Sequence, residues 1–142
     1  MSRFKKIVAA SATVMAAATL SVIATDPASA ATSHCPKYYA CIWRDTMYET
    51  AGNGLGLSKF QYWMDDYAKA YGKYEGTNIS GAESASSLFN NGGSSNVLWY
   101  QHPNYGGDYV FVGVGKYDGN IHDAAGVVTK QFHDRISSGK FV

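Results

Sequence analysis

The chain has 142 residues with 12 basic and 11 acidic side chains, so it carries neither the electrostatic footprint of a nucleic-acid binder nor a polybasic membrane anchor. Hydrophobic residues make up 46% and aromatics 14%, which excludes a disordered chain. The length suits one domain with a substantial core.

In chain order, residues 1–30 read as a secretory leader. Arg3, Lys5 and Lys6 precede an uncharged stretch over 7–24, and Ala28-Ser29-Ala30 supplies a small-residue cleavage site. The stretch is rich in Ala, Ser and Thr, and Asp26-Pro27 follows it, which favours cleavage over a membrane anchor. Cleavage removes three basic residues and one acidic residue, so the net charge goes from +1 to −1. All 11 Tyr, all 3 Trp and all 15 Gly lie beyond residue 30. The expectation is a single exported domain over 31–142, with no membrane association after cleavage.

Cys35 and Cys41 are the chain's two cysteines. In an oxidising compartment, two cysteines of a small secreted domain pair. Closing so short a loop stabilises by about 2 kcal/mol. Its role is to pin the N-terminal arm against the first strand. Five intervening residues argue against a redox motif, and two thiolates alone do not complete a metal site.

Strands are expected at 40–43, 86–89, 97–100, 108–112 and 139–142. In 108–112, Tyr109 and Phe111 share one face while Val110 and Val112 share the other. Turn clusters at 52–54, 90–95, 106–107 and 118–120 separate these runs. Over 64–74, Tyr67, Tyr71 and Tyr74 follow helical spacing, but Gly72 interrupts it. A short helix and an ordered loop both stay open there. Many short strands between turns predict an antiparallel all-β sandwich.

The chain also repeats itself. Trp43-Arg-Asp-Thr-Met-Tyr48-Glu-Thr50 aligns with Tyr100-Gln-His-Pro-Asn-Tyr105-Gly-Gly107. Ser86-Ser87 aligns with Ser137-Ser138. This predicts halves of about 35–90 and 96–142, with extra length in the first half around 55–81.

At these residues the chain resembles the βγ-crystallin superfamily. The aromatic pair and Gly107 are similar to its signature Greek-key hairpin, and the serine pairs are similar to the hydroxyls that tie that hairpin to a later strand. Thr50 departs from the glycine of the pattern. Over 35–142, the Cys35-Pro36 opening, the Asn90-Asn91 linker and Asp134-Arg135-Ile136-Ser137-Ser138 resemble small secreted actinobacterial metalloprotease inhibitors. The resemblance implies a βγ-crystallin-like sandwich of two Greek-key motifs with one disulfide. It also implies inhibition of an extracellular protease, with a convex loop entering the cleft and holding a backbone carbonyl near the metal. The insert over 65–81 is the expected loop, with Lys69, Tyr71, Lys73 and Tyr74 as candidate contacts. The second disulfide that braces such loops has no counterpart here.

The superfamily also implies calcium candidates. Ala82-Glu83-Ser84-Ala85-Ser86-Ser87 and His133-Asp134-Arg135-Ile136-Ser137-Ser138 each keep one acid and a serine pair, which selects Glu83, Ser86, Asp134 and Ser137. Each lacks an acid or amide at its first position, so calcium is possible but not required. A zinc site built from His102, His122-Asp123 and His133-Asp134 is disfavoured, because adjacent strand residues point to opposite faces. With no G-x-S-x-G elbow and no free cysteine, no enzyme is expected. The alternative to inhibition is a non-inhibitory secreted module, binding calcium weakly, binding cell envelope or glycan, or antagonising competitors. Trp63, Tyr67, Tyr71 and Tyr74 would stack sugars in that case, unless they cover the core.

Overall fold

The structure is a computed structural model that describes residues 34–48, 56–123 and 125–142. The short apolar runs form strands β1 (Ala40–Trp43), β2 (Leu57–Phe60), β3 (Trp63–Met64), β4 (Ser87–Asn90), β5 (Val97–His102), β6 (Gly106–Val112), β7 (Tyr117–Asp118) and β8 (Ser138–Phe141). They build two four-stranded antiparallel sheets, in the orders β2-β1-β4-β7 and β3-β8-β5-β6. Each half supplies a Greek-key unit whose third strand joins the opposite sheet. β3 thus leaves the first half for the second sheet, and β7 does the reverse. The Cys35–Cys41 disulfide forms as expected.

Alternation along the strands creates the core. Ile42, Leu88, Val97, Trp99 and Val112 are buried between the sheets, with Phe60, Met64, Ile121, Val128, Phe132 and Ile136. A second cluster covers the outer face of the first sheet. There Trp43, Tyr48, Leu57 and Phe89 pack with both cysteines.

The aromatic repeat is a structural repeat. Trp43 and Tyr48 meet edge to face at 5.2 Å between ring centroids, and Tyr100 and Tyr105 at 5.7 Å. The hairpin bends through left-handed residues in both halves, Met47 and Tyr48 in the first and Asn104 and Tyr105 in the second. Gly107 has φ of +74°, and a Cβ there would lie 2.6 Å from His102 Cδ2. Thr50, its counterpart, lies outside the described residues.

One serine locks each hairpin. The Ser87 hydroxyl accepts from Tyr48 N–H at 3.3 Å and donates to the Asp45 carbonyl at 2.8 Å. The Ser138 hydroxyl accepts from Tyr105 N–H at 3.0 Å and donates to the His102 carbonyl at 2.7 Å. Asn90, fully buried, donates to the carbonyls of Ser95 and Val112 and so joins the halves.

Removing either hydroxyl strands a backbone donor and a backbone acceptor. Ser87→Ala and Ser138→Ala should each destabilise by about 1–3 kcal/mol in denaturant titration. A loss under about 0.5 kcal/mol, the ordinary surface level, would contradict the locking role.

Candidate functional site

The segment between β3 and β4 is neither strand nor α-helix. It is an ordered loop with one 3-10 turn, Ala70–Gly72. Its helical tyrosine spacing does not produce one face. Tyr67 and Tyr74 point into the core, at 0% and 1% exposure, while Tyr71 stands 54% exposed. A side chain that anchors a loop from below needs only to reach the core, and no 3.6-residue period is required for that.

Both arms of the loop are tied down. Tyr67 N–H donates to the Ser137 carbonyl at 2.9 Å, and its hydroxyl accepts from Trp99 Nε1 at 3.3 Å. The Ser80 hydroxyl donates to the Tyr67 carbonyl at 3.2 Å. The Tyr74 and Ser84 hydroxyls are 3.0 Å apart, and Lys73 pairs with Ser80 in an isolated bridge. The arms meet at Gly72, whose carbonyl accepts from Gly81 N–H and from the buried Ser58 hydroxyl. A Cβ on Gly72 would sit 2.6 Å from the Tyr67 carbonyl oxygen, so only glycine permits this approach.

Between the arms, residues 68–71 project outward. Ala68 N–H donates to the Asp66 carboxylate at 2.8 Å and starts the turn. Lys69 Nζ lies 2.6 Å from Asp65 Oδ2, the Tyr71 hydroxyl donates to Asp65 Oδ1, and the ammonium lies 5.7 Å from the Tyr71 ring centroid. Asp65 is held below the usual aspartate range, first by its bond to Lys69 and then by the Tyr71 hydroxyl. The same carboxylate raises Lys69 and Tyr71. Beside the turn, Lys59, Gln61, Tyr62, Trp63 and Tyr71 line an open groove of about 340 Å³.

Of the four loop candidates, Lys69 and Tyr71 are exposed and Lys73 is half-buried. Tyr74 is corrected: it is a core residue that supports the turn from beneath. Asp65 and Gly72 were missed as the residues that shape the turn. The four-residue spacing from Asp65 to Lys69 was the available signal. Trp63 and Tyr71 are exposed, whereas Tyr67 and Tyr74 cover the core.

The calcium candidates occupy two matching turns. Glu83 and Asp134 are exposed, with φ of 53° and 52°, and each donates its N–H across to the other half, to Ile136 and Ala85 carbonyls. Ser86 and Ser137 are buried. The Ser86 hydroxyl is 3.3 Å from His133 Nε2, and His133 Nδ1 is 3.1 Å from Asp134 Oδ2. Adjacent His133 and Asp134 therefore meet, contrary to the strand argument, because they lie outside any strand and Asp134 takes a left-handed backbone. His122 and His133 stack edge to face at 5.1 Å between ring centroids. Among the described residues, no group of three His, Cys, Asp or Glu is placed to hold a metal ion. None of the described helices is long and apolar enough to cross a membrane.

The model of peptidase inhibitor family I36 matches residues 28–112. The chain belongs to peptidase inhibitor family I36. The match takes in the disulfide, the exposed turn at 68–71 and all of β6. No match to this I36 chain was found among curated proteins. A domain from a study of the evolution of the eye-lens βγ-crystallin fold matches with a TM-score of 0.55 at 14% identity, over 76% of this chain and 89% of its own. It gives the I36 chain its fold, a βγ-crystallin sandwich. A βγ-crystallin from an archaeon gives a TM-score of 0.49 at 14% identity, covering 75% of this chain and 100% of its own. One from Ciona intestinalis gives 0.48 at 14% identity, covering 73% and 99%.

The Asp65 tie has a pH signature. Its folded pKa lies below the unfolded value, so the tie is complete above the unfolded value and is lost as pH falls through the folded one. Lys69→Met with Tyr71→Phe should return Asp65 to ordinary aspartate titration, read by carboxyl-carbon NMR. An ordinary Asp65 titration in the unmutated I36 chain would show the tie absent in solution.

Proposed function

We propose that the protein is a secreted inhibitor of extracellular peptidases, zinc metallopeptidases in particular, and that the turn at 68–71 is the part that enters the cleft. Membership of an inhibitor family is the observation that carries the reading. The leader-like residues 1–30 and the disulfide support export. The shape of the turn supports the choice of contact: it is exposed, short, and held at both ends by buried tyrosines.

Mechanistically, the turn acts as a folded wedge. Ala70–Gly72 is a 3-10 turn, so its backbone differs from the extended strand that a peptidase cleaves. A wedge of this kind fills the cleft and presents a backbone carbonyl to the metal without offering a scissile bond in reactive geometry. Lys69 and Tyr71 supply side-chain contact, and the groove walled by Tyr62, Trp63 and Tyr71 accepts the rim of the peptidase. Calcium is not required in this mechanism, and the chain performs no catalysis. Because the turn is already ordered, little entropy is lost on binding.

Progress curves with a thermolysin-type metallopeptidase, with a serine peptidase as control, test the reading. The oxidised protein should inhibit the metallopeptidase stoichiometrically and remain uncut. Lys69→Ala with Tyr71→Ala should weaken inhibition by about 30-fold or more, with stability changed by less than about 0.5 kcal/mol. Full inhibition by the double variant would move the contact to another surface. Absence of inhibition by the unmutated protein, or its digestion, would overturn the reading.

A further inference from the structure

The two halves repeat the same aromatic outer face, but only one copy is covered. On the first sheet, the outer cluster of Trp43, Leu57 and Phe89 lies beneath the disulfide-bonded arm, and Leu57 is 2% exposed. Pairing registers place Tyr109 on the second sheet where Leu57 stands on the first, opposite Tyr100 as Leu57 is opposite Trp43. Tyr109 is 60% exposed and its neighbour Phe111 is 54% exposed.

The edges differ in the same way. Ladder bonds alternate sides along a strand. Arg44 N–H donates to the Gly56 carbonyl, so Leu57 and Lys59 turn their backbone groups outward from β2. That edge is capped: Glu75 N–H donates to the Leu57 carbonyl, and Lys59 pairs with Glu75. In the second half, the Tyr100 and Asn96 carbonyls accept from Ser137 and Val142 on the β8 side. The backbone groups of Val97 and Trp99 therefore face β6 and pair with Val112 and Val110. Tyr109 and Phe111 then turn their N–H and C=O groups outward. Among the described residues, no backbone bond caps them. β6 is also the longest of the described strands, at seven residues, and Gly-Gly-Asp-Tyr-Val-Phe-Val contains no Lys, Arg or Pro to guard the edge.

We infer that β6 is a self-association edge, where a second copy of this chain adds its own β6 antiparallel and two-fold symmetrically. The occupant follows from the chemistry of the edge. Outward backbone groups select an extended strand, and β6 itself is complementary under a two-fold axis at Val110. In that register Tyr109 forms a hydrogen-bonded pair with Phe111 of the second copy, and Phe111 with its Tyr109. Four backbone bonds form, and each exposed ring gains an aromatic cross-strand neighbour. Asp108 faces Val112 of the other copy, so the like charges do not meet. The joined sheets make one eight-stranded sheet. β3, which leads to the turn at 68–71, is the opposite edge of its sheet and takes no part in the pairing.

Strand addition of this kind is small and therefore concentration-dependent. Sedimentation equilibrium of the oxidised protein from about 1 μM to 1 mM should show the mass rising from one protomer towards two. Phe111→Pro removes an outward N–H that the monomer does not use and should leave a monomer throughout. Tyr109→Lys places a guarding charge on the same edge and should do the same, and it decides the matter if the proline variant fails to fold. Val110→Cys should give a disulfide-linked dimer on oxidation, since directly opposed non-hydrogen-bonded residues lie within disulfide reach. A protein that stays monomeric over the whole range overturns the inference. So does a dimer that survives both Phe111→Pro and Tyr109→Lys.

Discussion

The exchange of third strands between the two sheets is the constraint on which the rest depends. β3 and β7 each pair with the other half, at β8 and β4. Neither half can therefore complete its sheet alone. The chain leaving each exchanged strand must cross the end of the sandwich to return to its own half. Those crossings are where the core closes: Tyr67 N–H bonds to Ser137 on one side, and Ile121 N–H bonds to Ser86 on the other. The hydroxyls of Ser87 and Ser138 hold the folded hairpins that flank these crossings.

Placing the turn at 68–71 on one of these crossings ties it to the core without a second disulfide. Its two arms end in the core, at Tyr67 and Tyr74, and meet over Gly72 and Gly81. A covalent brace restricts the unfolded chain. Buried anchors restrict only the folded one, so here turn order and global stability are a single property. The cost is that the loop cannot be altered at its base without loosening the domain. Its exposed residues, Lys69 and Tyr71, can be changed without touching the buried anchors.

Much of this was legible in the sequence, for physical reasons. Alternating aromatic and β-branched runs mark strands wherever one face is buried, and the repeat of aromatics and serines marks two similar halves. β6 begins at Gly106, two residues earlier than its apolar run, because glycines carry no alternation signal. The exchange of β3 was not legible: two residues, Trp63 and Met64, are too few for a pattern. The loop was recognisable as extra length. Which of its tyrosines face inward depends on where the crossing lies, which is tertiary information. Tyr74 accordingly passed for a contact residue. The meeting of His133 with Asp134 was hidden for a related reason, since it needs a left-handed backbone at Asp134 that side-chain spacing does not report.

Hydrogen exchange of the unbound protein tests most directly whether the turn is braced by the core. The amides of Tyr67, Gly72, Tyr74 and Gly81 should exchange only when the whole domain opens, with protection within about tenfold of Ile42 and Leu88 in the central strands. Exchange of these four amides through a local opening, orders of magnitude faster than the central strands, would mean that the turn is a flexible loop and would contradict the account.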